Sequence, residues 1–327
     1  MTKVLITTVP FADRDPSPIE LLEDAGIDYL INPFGRKLKE DELAEMVSDF
    51  DVLIAGTEPI TEKVMKKGKN LKLVSRVGIG LDSVDLLAAE RRGIYVSYTP
   101  DAPGPAVAEL TVGMMLTLLR HVHVASSHMH QGIWRRHFGR RISEITIGII
   151  GTGRIGSGVI NRLTSFQPSK ILINDINLGS QLLSLPWVES ATKDEIYQRA
   201  DLISLHIPLT RITKNMIRYD QLKSMKEDAI VINTSRGGII NEEDLAKALN
   251  EGHLSGAGVD VFEKEPYDGG LRYIERCLLT SHMGSMSVDC RARMEIEATR
   301  EAVRYFKGQP LKCLVPQDEY EVQRQGL

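Results

Sequence analysis

The sequence predicts an α/β protein of two doubly wound parallel-sheet lobes, the second inserted into the first. Three observations predict it. Short β-rich runs alternate with helical patterns from the start, a proline-rich turn and a long helical pattern interrupt that rhythm, and a second alternating series follows before a last long helix. Strands separated by crossover helices must pair in parallel, because each crossover returns the chain to the same end of the sheet. The expected boundaries are residues 1–99 with 289–327 for the outer lobe and 100–288 for the inserted one.

In the first lobe the strand-like runs are "KVLITT", "DYLINP", "DVLIAGT", "LKLVSRVG" and "IYVSYT". Between them lie the helical patterns "PIELLEDAG", "KEDELAEMVSDF", "TEKVMKKGK" and "SVDLLAAERRG". The turn "TPDAPGP", with prolines at 100, 103 and 105, ends this series. Beyond it "AVAELTVGMMLTLLRHVHVASSHM" is rich in strong helix formers and is read as one long helix, too long for a simple crossover. The second series runs through "TIGIIGTGRIG", "KILINDI", "DLISLHIP", "AIVINTS", "GAGVDVF" and "CLLTSH". A final helix over Val288 to Lys307 leads back to the first lobe, since the tail after "GQP" is too short to fold alone.

The chain has 327 residues, 42% hydrophobic and 26% charged, with a net charge of -4. This is the balance of a globular protein long enough for two cores, without the basic face that nucleic acid would demand. No apolar run reaches the ~18 to 20 residues of a membrane span. The start, "MTKVLITTVP", enters a strand-like run instead of a cleavable signal, so a cytoplasmic location is expected. Cys277, Cys290 and Cys313 are widely spaced and odd in number, which argues against a disulfide framework or a zinc cluster.

Gly151, Gly153 and Gly156 form a G-x-G-x-x-G pattern between a strand-like and a helix-like run. The first glycine makes the tight turn, the second admits a pyrophosphate to the backbone, and the third lets helix and strand pack closely. The helix N-terminus offers free N–H groups and partial positive charge to the phosphates. Asp175 ends the next strand, about 20 residues on, where a carboxylate accepts hydrogen bonds from the adenosine ribose. The same charge repels a 2′-phosphate, so NAD is expected over NADP.

Ligands of open parallel sheets bind outside the carboxyl ends of the strands. Three ionisable residues fall there: Arg236 after "AIVINTS", Glu265 after "GAGVDVFEK" and His282 after "CLLTS". Singly each has a bland explanation as a solvated charge or a satisfied histidine. A guanidinium at the mouth of an apolar strand is costly unless an anion meets it. Together they form a candidate catalytic set.

The run "INTSRGGIINEEDLAKALNEGHLSGAGVDVFEKEP", followed by "LLTSHMGS", resembles the NAD-dependent D-2-hydroxyacid dehydrogenase family, in its phosphoglycerate dehydrogenase-like branch. The likeness extends over nearly the whole chain, through "SRVGIGLDSVDLLAAERRGIYVSYTP" and "GIIGTGRIG". It implies a Rossmann NAD-binding domain inserted into a flavodoxin-like substrate domain. It also implies hydride transfer between NAD(H) and a small anionic 2-hydroxy or 2-keto acid. Arg236 would grip the substrate carboxylate and polarise the reacting oxygen, His282 would be the general acid or base, and Glu265 would hold the imidazole and favour its protonated form. The backbone amides of Val77, Gly78 and Ile79 would meet the same carboxylate. Asp260 resembles the residue that meets the nicotinamide carboxamide, and His206 and Pro208 the lining of the adenosine pocket. The resemblance also sets Arg154, Ile155, Thr213, Thr234 and Gly284 against the cofactor. Hydride addition builds negative charge on the carbonyl oxygen, which a fixed cation and a proton donor stabilise in the transition state.

Some positions depart from the family pattern. Glu265 stands where the formate-oxidising branch carries glutamine, which favours a hydroxy acid, and Ser281 replaces the proline before the histidine. Pro168 interrupts a turn that customarily contains glycine. Arg76 and Arg136 match basic substrate-region residues of 3-phosphoglycerate dehydrogenases, whereas Ala55 replaces an arginine of those enzymes. The expected substrate is a C3 or C4 hydroxy acid, with a second anionic group as one option, and feedback by serine through a C-terminal extension is not expected. The alternative is an NAD-gated binding or corepressor-like module with little turnover. The "AVAELTVGMMLTLLRHV" segment is expected at a homodimer interface, as in the family, or buried between the lobes. His121, His123, His128 and His130 fall on different helix faces without a carboxylate or cysteine among them, so no metal is expected.

Overall fold

The structure, a computed structural model, describes residues 3–326. The chain divides into two compact units, one comprising residues up to 103 together with those from 286 onward, the other residues 104–285.

The first unit is a five-stranded parallel sheet of β1 (Lys3–Ile6), β2 (Asp28–Ile31), β3 (Val52–Ala55), β4 (Leu73–Arg76) and β5 (Tyr95–Ser97). Their order, β2-β1-β3-β4-β5, is that of flavodoxin-like folds. Strands β3 and β4 are buried at every residue, which accounts for their unbroken apolar character. A strand covered by helices on both faces has no solvent side to make polar. The helix Val288–Phe306 returns to this sheet, where Ser75 Oγ donates to the carbonyl of Ala298 at 2.8 Å. The tail then pairs with the end of β5, the Val315 amide donating to Val96 O at 2.9 Å and the Tyr98 amide to Cys313 O at 3.0 Å. A last helix, Gln317–Arg324, was not expected from the sequence. It is polar and short, with no buried residue of its own, and is held by Gln323, whose side chain donates to Val84 O and accepts from the Leu86 amide.

The second unit is a seven-stranded parallel sheet: β6 (Thr146–Ile150), β7 (Lys170–Asn174), β8 (Val188–Ser190), β9 (Leu202–Leu205), β10 (Ile230–Asn233), β11 (Gly256–Val259) and β12 (Cys277–Leu279). Their order is β12-β11-β10-β9-β6-β7-β8. The chain starts in the middle, builds outward on one side through β8, and then reverses to build from β9, as in a Rossmann domain extended by one strand. The reversal lies between β6 and β9. Both faces are packed: Ile147 and Ile149 of β6 join one apolar cluster and Ile150 the other. The edge strand β8 escaped the sequence reading because it is brief and only half-buried, so it lacks an apolar run.

The long helix expected after the proline turn is two helices, Pro103–Leu119 and Val122–His130. His121 between them has a left-handed backbone, φ 54°. The carbonyl of Leu119 receives the Arg140 amide at 3.0 Å, so a returning segment takes a hydrogen-bond acceptor at the end of the first helix. Tertiary structure here overrides local helix propensity.

Candidate active site

The glycine loop joins β6 to the helix Arg154–Leu163. Gly151 has φ 95°, and a Cβ there would lie 2.3 Å from the His206 carbonyl; a Cβ on Gly156 would lie 2.0 Å from Gly151 O. Neither position admits a side chain. Gly153, in contrast, faces open space, with no protein atom within 4 Å of where its Cβ would be. The loop is thus drawn tight at two glycines, Gly151 against the residue that follows β9 and Gly156 against the loop's own backbone, and left clear at the third, next to the N-terminus of a helix, which is the shape a pyrophosphate needs. Arg154 and Ile155 form the first turn of that helix.

Asp175 follows β7 and closes the other side of the loop. Its Oδ2 accepts from the Thr152 amide at 2.5 Å and hydroxyl at 3.0 Å, and its Oδ1 from the Asn177 amide at 2.9 Å. Burial pushes its pKa up, but these donors outweigh burial and the net shift is downward. The carboxylate stays charged and keeps acceptor capacity on Oδ1 for a ribose hydroxyl. His206, after β9, packs under the loop and places Nε2 2.9 Å from Ser204 Oγ. Burial pulls its pKa down to about 3, so the ring is neutral. Pro208 is exposed beside it, and its carbonyl receives the Thr213 hydroxyl at 2.7 Å. Thr234, expected against the cofactor, is buried and its hydroxyl pairs with that of Thr111 at 2.8 Å.

The other groups stand at the carboxyl ends of the adjacent strands β10, β11 and β12. Arg236 leaves β10 through a turn locked by Asn233, whose side chain donates to Arg236 O and accepts from the Ser235 amide and hydroxyl. The Arg236 Nη1 donates to Ser235 O at 2.7 Å. Glu265 and His282 are in direct contact: imidazole Nδ1 lies 3.0 Å from Oε1 and 2.9 Å from Oε2. A proton on Nδ1 is therefore engaged by the carboxylate, which leaves Nε2 as the nitrogen available for chemistry.

Asp260 is 1% exposed, and both its oxygens are used internally. Oδ1 accepts from Thr280 Oγ1 at 2.6 Å and the Met283 amide at 2.9 Å, while Oδ2 accepts from the Gly284 amide at 2.9 Å. The Asp260 carbonyl accepts the His282 amide at 2.7 Å. Asp260 and Gly284, expected at the cofactor, thus also shape the loop that carries His282. That loop holds His282 at φ 52°, a left-handed conformation uncommon for a residue with a side chain.

In the first unit, β4 ends in Arg76, which is 5% exposed and donates from Nη1 to Val77 O at 2.6 Å. The backbone donors expected beyond it are partly committed. The Val77 amide donates to Ala55 O at 2.8 Å and the Gly78 amide to Thr99 Oγ1 at 2.8 Å, which leaves the Ile79 amide as the candidate donor of the three. Arg136 lies in an exposed stretch of the second unit with Trp134, 78% exposed, and Phe138, 98% exposed. Among the described residues no set of three or more His, Cys, Asp or Glu is disposed to hold a metal ion, and no helix is long and apolar enough to cross a membrane. Cys277 and Cys290 are buried, with thiol pKa values pushed up by burial to about 12 and about 11, so neither is a nucleophile.

The chain is similar to known proteins over most of its length. The family profile described as D-isomer specific 2-hydroxyacid dehydrogenase, NAD binding domain, matches residues 112–284. The chain is 35% identical over 292 residues to a glyoxylate reductase of Thermofilum pendens, covering 86% of each. It is 36% identical over 267 residues to a hydroxypyruvate reductase of Thermotoga maritima, covering 80% of this chain and 86% of that one. A D-3-phosphoglycerate dehydrogenase of Methanocaldococcus jannaschii is 34% identical over 315 residues, which span 94% of this chain and 58% of that enzyme. A crystal structure of a Thermus thermophilus protein aligns with a TM-score of 0.87 at 31% identity, over 96% of this chain and 100% of that one.

Proposed function

From the premise that the chain belongs to the D-isomer specific 2-hydroxyacid dehydrogenase family and is an NAD-dependent oxidoreductase, we propose that it reduces a short, unphosphorylated 2-oxo acid of glyoxylate or hydroxypyruvate size. The observation that carries the choice of substrate is the state of Arg76. This arginine, the basic residue matched to phosphoglycerate recognition, is buried and turned onto a main-chain carbonyl, beside Ala55 where a second arginine would stand. A substrate phosphate would lose charge-assisted partners worth roughly 1.5 to 3 kcal/mol each.

NAD(H) supplies or accepts the hydride when bound. Arg236 pairs with the substrate carboxylate and polarises the carbonyl oxygen. His282 Nε2 gives its proton to that oxygen as negative charge develops, and Glu265 fixes the ring and stabilises its protonated form. In the reverse direction neutral His282 takes the hydroxyl proton.

Absorbance decay of NADH with glyoxylate, hydroxypyruvate and 3-phosphohydroxypyruvate tests the substrate. The kcat/KM for one of the unphosphorylated acids should exceed that for the phosphorylated one by about tenfold or more, equivalent to one lost charge-assisted bond. The reverse order would sink this assignment, and NADH binding without turnover of any acid would favour a cofactor-gated binding module. On the cofactor side, Asp175→Ala should narrow the NADH-to-NADPH ratio of kcat/KM by about tenfold, the loss of one hydrogen bond and one repulsion; an unchanged ratio would remove Asp175 from ribose recognition.

A homodimer is also assigned, with Trp134 and Phe138 as apolar contacts exposed on the single chain. Light scattering should then return twice the 36.4 kDa of the chain, and a single-chain mass would refute it. The unpaired thiols fit a reducing, cytoplasmic compartment.

A further inference from the structure

The turn after β10 and the loop after β11 are packed together. A Cβ on Gly237 would lie 1.9 Å from the Phe262 carbonyl carbon and 2.4 Å from the Glu263 nitrogen, so the residue following Arg236 rests directly on the peptide that leads to Glu265. A second tie joins the same two segments. Glu242, at the start of the helix Glu242–Asn250, accepts the Glu263 amide through Oε1 at 2.8 Å. From there the chain runs through a short loop whose Phe262 amide donates to Glu265 Oε1 at 3.1 Å and whose Phe262 and Tyr267 rings stack at 4.2 Å. Glu242 therefore holds, from the Arg236 side, the loop that holds the partner of His282.

We propose that Glu242 is a positioning residue of the reaction: its carboxylate fixes the Glu265 loop against the Arg236 turn, and its charge adds to the field that favours a protonated His282. The proposal rests on the assignment of Glu265 and His282 as the proton-transfer pair.

The surroundings of Glu242 set the sign of the effect. Burial raises its pKa first, and the carboxylates of Glu263 and Glu265 raise it further, while the Glu263 amide lowers it. The repulsion between Glu242 and Glu265 is mutual, so a charged Glu242 also makes Glu265 harder to leave without a cationic partner. Other charges nearby are less direct. Lys214 is 3.2 Å from Glu263, Lys247 lies over the Tyr219 ring, and Tyr267 senses both Glu242 and Arg272. Glu243 and Asp244 follow on the same helix turn, with the Asp244 carboxylate accepting the Tyr219 amide.

The test uses the full-length enzyme, the preferred 2-oxo acid and the pH profile of kcat/KM for reduction, which falls as pH rises through the limb of the proton donor. Glu242→Gln keeps an oxygen for the Glu263 amide and removes the charge. Its limb should move to lower pH by about half a unit, with little loss of rate below the limb. Glu242→Ala also removes the acceptor and should lower kcat about tenfold through misplacement of Glu265, with NADH affinity kept. Glu265→Gln is the reference variant. If Glu265→Gln displaces the limb and Glu242→Gln leaves it on the wild-type curve, the proposal is overturned alone. If neither variant displaces it, the proton-transfer assignment falls and the proposal with it.

Discussion

Replacing Arg236 with alanine should lower kcat/KM for the 2-oxo acid by about 10²- to 10³-fold, while the Kd for NADH stays within about threefold of wild type. The magnitude is that of deleting one preorganised donor from a site of developing negative charge. The separation of the two effects follows from location. Arg236 stands at the end of β10, in a turn locked by Asn233, whereas the glycine loop and Asp175 belong to β6 and β7. Truncation removes the guanidinium bond to Ser235 O but keeps the three bonds by which the Asn233 side chain holds the turn. Steady-state kinetics with NADH fluorescence titration would check this. Loss of NADH affinity with undiminished turnover would contradict the role given to Arg236.

Replacing His282 with asparagine should lower kcat by about 10²- to 10⁴-fold, the range of a deleted general acid. It should also erase the limb of the pH–rate profile that the proton donor produces. The sign is set by direction. Reduction needs the protonated ring and slows as pH rises, while oxidation of the hydroxy acid needs the neutral ring and slows as pH falls. Asparagine is the informative substitute because His282 has φ 52°, a conformation that asparagine adopts more readily than most residues with a side chain. The loop backbone is then kept, and lost activity reports lost proton transfer. A variant with wild-type turnover, or one with the same limb at the same pH, would remove His282 from the chemistry.

Much of this was legible in the sequence because parallel sheets buried on both faces write themselves as unbroken apolar runs. The segments "DVLIAGT", "DLISLHIP" and "AIVINTS" are of this kind, and they became β3, β9 and β10. The glycine spacing was legible for a related reason: contact distances near 2 Å at Gly151 and Gly156 leave no other residue type. What escaped was decided by partners remote in the chain. The Val77 and Gly78 amides looked free for a substrate, yet Ala55 of β3 and Thr99, just beyond β5, accept them. The sequence did not show that Asp260 also braces the His282 loop, with Thr280, Met283 and Gly284 donating to its two oxygens. Glu242 carried no signal beyond that of an ordinary acidic residue in the first turn of a helix. The short edge strand β8 and the break at His121 were hidden too, since neither changes the local periodicity enough to be seen.

The bracing of the loop by Asp260 has a kinetic corollary. A buried carboxylate that accepts three hydrogen bonds from its own chain gives the loop around the imidazole its shape at the moment of folding, before any reactant arrives. The proton donor therefore meets its ligand already aimed, with no ordering event around the ring to delay the first turnover. A slow isomerisation seen in a stopped-flow trace would have to originate in another part of the molecule.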